Sequence, residues 1–190
     1  MHAHHALEKL IAGNQRYTTD RLSHYHQSGS RMRAISAAQH PFAIVLGCAD
    51  SRVPPEIIFD LGLGDLFVIR VAGNIVDDAI LGSIEYAVEE LGTPLVFVLG
   101  HERCGAVAAT LKHGKILGHI STLIDAIQPA VDRAKTQPGN LLDNAVRANI
   151  ELVVAQLKSS MPIAKLVKHD RLKVVGGLYN LTCGTIKIIA

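Results

Sequence analysis

Two short segments of the sequence carry side chains that could hold a metal ion. The first is Cys48-Ala-Asp50-Ser-Arg52, and the second is His101-Glu-Arg-Cys104. Two thiolates and one imidazole make a strong zinc-binding set, and tetrahedral zinc takes four ligands. Since three protein ligands leave one position for water or for the Asp50 carboxylate, the pattern favours a catalytic zinc over a structural one.

Each of these residues also has an ordinary interpretation when it is taken alone. A single cysteine at the end of a strand is usually a small buried hydrophobic residue. Asp50 and Arg52 could form a surface ion pair worth about 0–1 kcal/mol. Because these residues occur together in two matching segments, a metal site is favoured over the separate interpretations. The remaining thiol, Cys183, lies in a late turn and is predicted to be free and without a catalytic role.

Two stretches of the chain share one sequence pattern, called the echo below, and this repeat predicts how the two segments meet. Pro41-Phe-Ala-Ile-Val-Leu-Gly-Cys48 aligns without gaps on Pro94-Leu-Val-Phe-Val-Leu-Gly-His101. In open α/β sheets, ligands bind beyond the carboxyl ends of the strands. If the two strands are neighbours, about 4.8 Å apart, the side chains that follow them can converge on one ion.

Apolar runs and helical periodicities alternate along the chain and predict an α/β fold. The sheet is expected to be mainly parallel, with about four parallel strands buried on both faces and one antiparallel edge strand, flanked by helices. Strands are predicted at 41–47, from 65, at 94–100, 171–177 and 185–190. Helices are predicted at 7–17, 76–91, 104–112, 120–133 and 141–158.

Length and composition bound the architecture. The chain has 190 residues, and we expect one domain, with an N-terminal helix and polar arm at 1–35 and an α/β core at 36–190. A net charge of +2 and the absence of Trp predict no nucleic-acid partner. No secretory signal or membrane-spanning segment is predicted. Three cysteines are too few for a disulfide framework, so a cytoplasmic location is expected.

The two signature regions resemble those of β-class carbonic anhydrases. CADSRVPPEIIFDLGLGDLFVIRVAGNIV begins at Cys48, and GSIEYAVEELGTPLVFVLGHERCGAV ends at Val107. The resemblance implies that Cys48, His101 and Cys104 ligate Zn²⁺. It also implies a catalytic dyad of Asp50 and Arg52, in which Asp50 accepts a hydrogen bond from zinc-bound hydroxide or, in a closed state, becomes the fourth ligand.

The same resemblance implies further features of the site. Gln39 matches a position that binds substrate or bicarbonate across a dimer interface. Further substrate-binding positions are Phe67, Ala72, Tyr86 and Gly105, although simple core packing is an equal alternative for Phe67, Ala72 and Tyr86. The expected partners are CO2 and bicarbonate, together with further copies of the chain in a homodimer or homotetramer.

Three functions are consistent with these residues. The favoured one is reversible hydration of CO2 by attack of zinc-bound hydroxide. The second is hydrolysis of carbonyl sulfide or carbon disulfide on the same scaffold, since no residue excludes it. The third is a non-enzymatic zinc or thiol-redox protein with a Cys48–Cys104 disulfide. The Asp50–Arg52 pair disfavours this last function, because structural zinc does not need it.

Overall fold

A five-stranded sheet forms the centre of the computed structural model, which describes residues 1–112 and 118–190. The strands are β1 (Ala43–Gly47), β2 (Leu66–Arg70), β3 (Leu95–His101), β4 (Lys173–Tyr179) and β5 (Ile186–Ile188). Their order in the sheet is β2-β1-β3-β4-β5. The first four strands run parallel and β5 pairs antiparallel with β4. The predicted α/β architecture with an antiparallel edge strand is confirmed.

Helices flank this sheet and connect its strands. They are α1 (Ala3–Thr18), α2 (Gly29–Ala34), α3 (Pro55–Ile58), α4 (Asp78–Glu89), α5 (Gly105–Leu111), α6 (Ile120–Ala134), α7 (Leu141–Ser159) and α8 (Met161–Lys168). The predicted helix from residue 76 begins at Asp78 instead, because the Asp77 side chain accepts a hydrogen bond from the Ile80 amide and caps it there. No helix in the described ranges is long and apolar enough to cross a membrane.

The inner strands β1 and β3 are more deeply buried than the edge strand β2. Every residue of β1 and β3 is buried, as the continuous apolar runs predict. The prediction of burial on both faces is wrong for β2, where four residues are half-buried and Arg70 is exposed. The reason is position, since β2 forms one edge of the sheet and has a single neighbouring strand.

The polar stretch between α1 and β1 contains a helix that the sequence pattern did not indicate. The helix α2 has no buried residue, and the Ser28 side chain caps it by accepting from the Arg31 amide. Hydrogen bonds connect the residues before α2 to the loop that precedes β2. Asp60 accepts hydrogen bonds from the Ser23 amide and hydroxyl, and His26 Nδ1 lies 2.8 Å from Asp65 Oδ1.

Candidate metal centre

The neighbouring strands β1 and β3 bring the first two candidate ligands together. Gly47 pairs with Leu99, so Cys48 follows the end of β1 one register position short of His101, the last residue of β3. The sequence echo aligned these two residues directly, and the observed register therefore differs from it by one position. Cys104 immediately precedes α5, three residues beyond His101. The predicted convergence at the carboxyl ends of the strands is confirmed.

The three ligand atoms form a compact, buried group. The sulfurs of Cys48 and Cys104 and a ring nitrogen of His101 all lie within 4.8 Å of one another. Each of the three residues is at most 4% exposed. Within residues 1–112 and 118–190, this is the one cluster of three or more His, Cys, Asp or Glu residues with such geometry.

Hydrogen bonding prepares His101 to act as a ligand. Its Nδ1 lies 2.8 Å from the carbonyl oxygen of Glu102, which can only accept a hydrogen bond, so Nδ1 carries the proton. The Nε2 atom is buried and has no hydrogen-bond partner among the described residues. A buried lone pair facing two thiol sulfurs fits a tetrahedral metal ion with N and S ligands.

The environment of Cys48 favours its thiolate form. A hydrogen bond from Cys104 lowers the pKa of Cys48, burial opposes this effect, and contacts with His101 and the Gly73 amide lower the pKa further. The Gly73 nitrogen lies 3.3 Å from the Cys48 sulfur. The same pairing with Cys48, together with burial, raises the pKa of Cys104. Two thiols this close cannot both ionise easily unless a cation compensates their charge.

Asp50 lies beside the three ligands and is held by Arg52. The guanidinium donates through Nε to Oδ1 at 2.9 Å and through Nη2 to Oδ2 at 2.7 Å, and the Arg52 amide donates to Oδ1 at 3.0 Å. These bonds hold the pKa of Asp50 well below its usual range. Its Oδ2 is 3.8 Å from His101 Nε2. An ionised carboxylate therefore faces the candidate metal position.

Arg70 fixes the loop that carries Cys48 and Asp50. It extends from the end of β2 and donates through Nε to the Cys48 carbonyl at 3.0 Å and through Nη2 to the Asp50 carbonyl at 2.6 Å. Sequence reasoning assigned Arg70 no role in this site. Because both bonds go to backbone oxygens, no residue pattern in the 48–52 segment could have revealed them.

Comparison with known proteins identifies the family. The carbonic anhydrase family model matches residues 43–186. The chain belongs to the β-class carbonic anhydrase family. "Carbonic anhydrase 2" of Mycobacterium tuberculosis is 40% identical over 184 residues, which cover 94% of this chain and 89% of that relative.

Solved structures agree with this assignment. The β-carbonic anhydrase CcaA has a TM-score of 0.76 and 28% identity, covering 97% of this chain and 95% of that one. One of two tetrameric β-carbonic anhydrases from Sordaria macrospora has a TM-score of 0.77 and 26% identity, covering 98% and 96%. The named relatives and these folds support the expectation of a carbonic anhydrase enzyme.

The remaining predicted substrate-binding positions lie on several different elements of the fold. Phe67 on β2 is half-buried, Tyr86 on α4 is exposed, and their ring centroids are 6.3 Å apart. Ala72 precedes Gly73, and Gly105 follows Cys104 as the exposed first residue of α5. Gln39 is exposed in the segment between α2 and β1. Their substrate-binding roles stay predictions.

Proposed function

We propose that the protein is a zinc enzyme that hydrates CO2 reversibly to bicarbonate and a proton. The observation that carries the proposal is the buried group of Cys48, His101 and Cys104, in which the His101 Nε2 atom has no partner among the described residues. Two thiolates and an imidazole suit zinc, and three protein ligands are typical of catalytic zinc. A bound zinc ion would supply a Lewis acid that lowers the pKa of a coordinated water towards neutrality.

Asp50 is proposed as the hydrogen-bond acceptor of this site. As an ionised carboxylate it can only accept, so it would orient the proton of the attacking nucleophile and leave an oxygen lone pair free to reach carbon. Arg52 would act as the positioning partner, because it engages both carboxylate oxygens of Asp50. That contact supports an open state, in which Asp50 stays with Arg52 instead of becoming the fourth zinc ligand.

The proposal includes the assembly and the substrate positions. One structural relative is described as tetrameric, which supports a homodimer or homotetramer for this chain. We propose that Gln39 contributes to the CO2 and bicarbonate site together with Phe67, Ala72, Tyr86 and Gly105. We also propose that the protein acts in the cytoplasm.

The first test is metal analysis of the purified protein. Wild type should contain about one zinc per chain, and Cys48→Ser should lose most of it, because a neutral hydroxyl is a poor zinc ligand. Full CO2 hydration by a metal-free preparation would contradict the proposal.

The second test is stopped-flow CO2 hydration by Asp50→Asn. This variant should keep its zinc and lose activity by at least about a hundredfold, because the amide cannot replace an ionised acceptor. Asp170→Asn is the matched control, since it makes the same change at an exposed position in the turn before β4. Wild-type rates in Asp50→Asn would remove Asp50 from the mechanism. Carbonyl sulfide in the same assay tests the alternative hydrolase activity.

A further inference from the structure

A single glycine connects the candidate metal ligand Cys48 with the interior of the fold. The Gly73 amide donates to the Cys48 sulfur at 3.3 Å, and the Gly73 carbonyl accepts from Asn149 Nδ2 at 2.8 Å. Both of these hydrogen bonds are buried. The amide and the carbonyl of Gly73 thus bond to partners that are 25 and 76 positions away in the sequence, respectively.

The backbone at Gly73 has a conformation that few other residues could adopt. Its φ is +74°, in the left-handed region where a side chain is strained. A Cβ atom here would lie 2.6 Å from Ile127 Cδ1 and 3.1 Å from Ala106 Cβ. The neighbouring helices therefore restrict the space around Gly73, and the hydrogen bond to its carbonyl adds a further anchor to the residue whose amide faces Cys48.

Asn149 is unusual for its position on α7. It is 3% exposed, and the other buried residues of this helix are Ala, Val, Ile and Leu. Burying an amide costs free energy unless its hydrogen-bonding groups find partners. The bond to Gly73 supplies a partner for Asn149 Nδ2, and it does so at the backbone segment that contacts a metal ligand.

We propose that Asn149 is a positioning residue for the metal centre, which holds Gly73 so that its amide donates to the Cys48 sulfur. A hydrogen bond to a thiolate withdraws charge from the sulfur, so less charge reaches the metal and the metal remains a stronger Lewis acid. The same bond fixes the position of the sulfur relative to His101 and Cys104. This inference rests on the proposed role of Cys48 as a metal ligand.

The test uses protein in which cobalt(II) replaces zinc, because cobalt–thiolate bonds give a charge-transfer band in the near ultraviolet. Asn149→Leu and Asn149→Ala both remove the donor, one keeping the volume and the other leaving a small cavity. Both should move the band to longer wavelength, since a cobalt-bound sulfur that accepts no hydrogen bond gives up charge more readily. Zinc affinity, measured by chelator competition, should fall about 10- to 100-fold.

Val153→Ala is the matched control, because Val153 is 5% exposed on the same helix and carries no polar group. It should lower stability while leaving the cobalt band and the zinc affinity at wild-type values. Wild-type band and affinity in both folded Asn149 variants would overturn the proposal. Failure of both variants to fold would also overturn it, because Asn149 would then be a residue of the core alone. Absence of the band in wild type would instead refute Cys48 as a ligand.

Discussion

The carboxylate of Asp60 is expected to make the folded state sensitive to acid. Asp60 is 2% exposed and accepts hydrogen bonds from Arg16 Nε, from the amide and hydroxyl of Ser23 and from the amide of His24. These donors come from the end of α1 and from the polar arm that follows it. The substitution Asp60→Asn places an NH2 group among donors and leaves the Arg16 guanidinium without its counter-ion.

The size of the contribution of Asp60 to stability follows from the pKa of its carboxyl group. Burial raises the pKa of Asp60, but the bonds from Ser23, Arg16 and His24 outweigh burial and lower it from 3.8 to about 2. A difference of this size corresponds to roughly 2 kcal/mol of folding free energy. Because the folded-state pKa is the lower one, this contribution is complete above about pH 4 to 5. It is lost as the pH falls towards 2.

Urea unfolding of wild type and Asp60→Asn at a series of pH values measures this contribution. At pH 7 the variant should be less stable by at least roughly 2 kcal/mol. The difference between the two proteins should shrink as the pH falls below about 4, whereas metal loss at low pH affects both equally. Asp125→Asn, at an exposed position on α6, is the control and should change stability little. A difference that stays constant down to pH 2 would refute the reasoning.

Two further predictions concern Asn14 and Cys183. Asn14→Ala should lower the free energy of unfolding by about 3 kcal/mol, because the buried side chain donates to the carbonyls of Ile58 and Gly184 and accepts from the Ile186 amide. Urea unfolding against the exposed control Gln15→Ala measures the loss, and equal stability of the two variants would contradict it. Cys183→Ser should keep wild-type zinc content and CO2 hydration, since this exposed thiol is outside the group of candidate ligands. A loss of zinc in this variant would contradict the prediction and implicate Cys183 in metal binding.

The strands and the grouping of the candidate ligands were predictable because local patterns encode them. Continuous apolar runs identified β1 and β3, and the echo between them predicted that Cys48 and His101 would converge if the two strands were neighbours. The observed register offset of one position was not predictable, since both strands are apolar and buried throughout and no alternation of apolar and polar residues marks one register over another. Likewise, the partial exposure of β2 follows from its edge position, which only the strand order reveals.

The helices α2 and α8 show two different limits of the sequence patterns. The helix α2 buries no residue, so no hydrophobic periodicity marks it. The helix α8 does bury Ile163 and Leu166 and has a proline in its first turn, which is a start signal that could have been recognised. Its short length makes that signal weak beside the long helix α7 that precedes it.

The surroundings of the candidate site depend on how closely α7 approaches the sheet. A Cβ at Gly100, the residue before His101, would lie 2.5 Å from Ile150 Cγ1 on that helix. The absence of a side chain at Gly100 therefore allows α7 to pack against β3 beside the candidate metal ligands. The residue preceding Ile150 is Asn149, whose amide donates to Gly73. A single buried Asn in an apolar helix face was the sequence signal for this contact, but its partner is 76 positions away and becomes apparent only from the packing of α7 on the sheet.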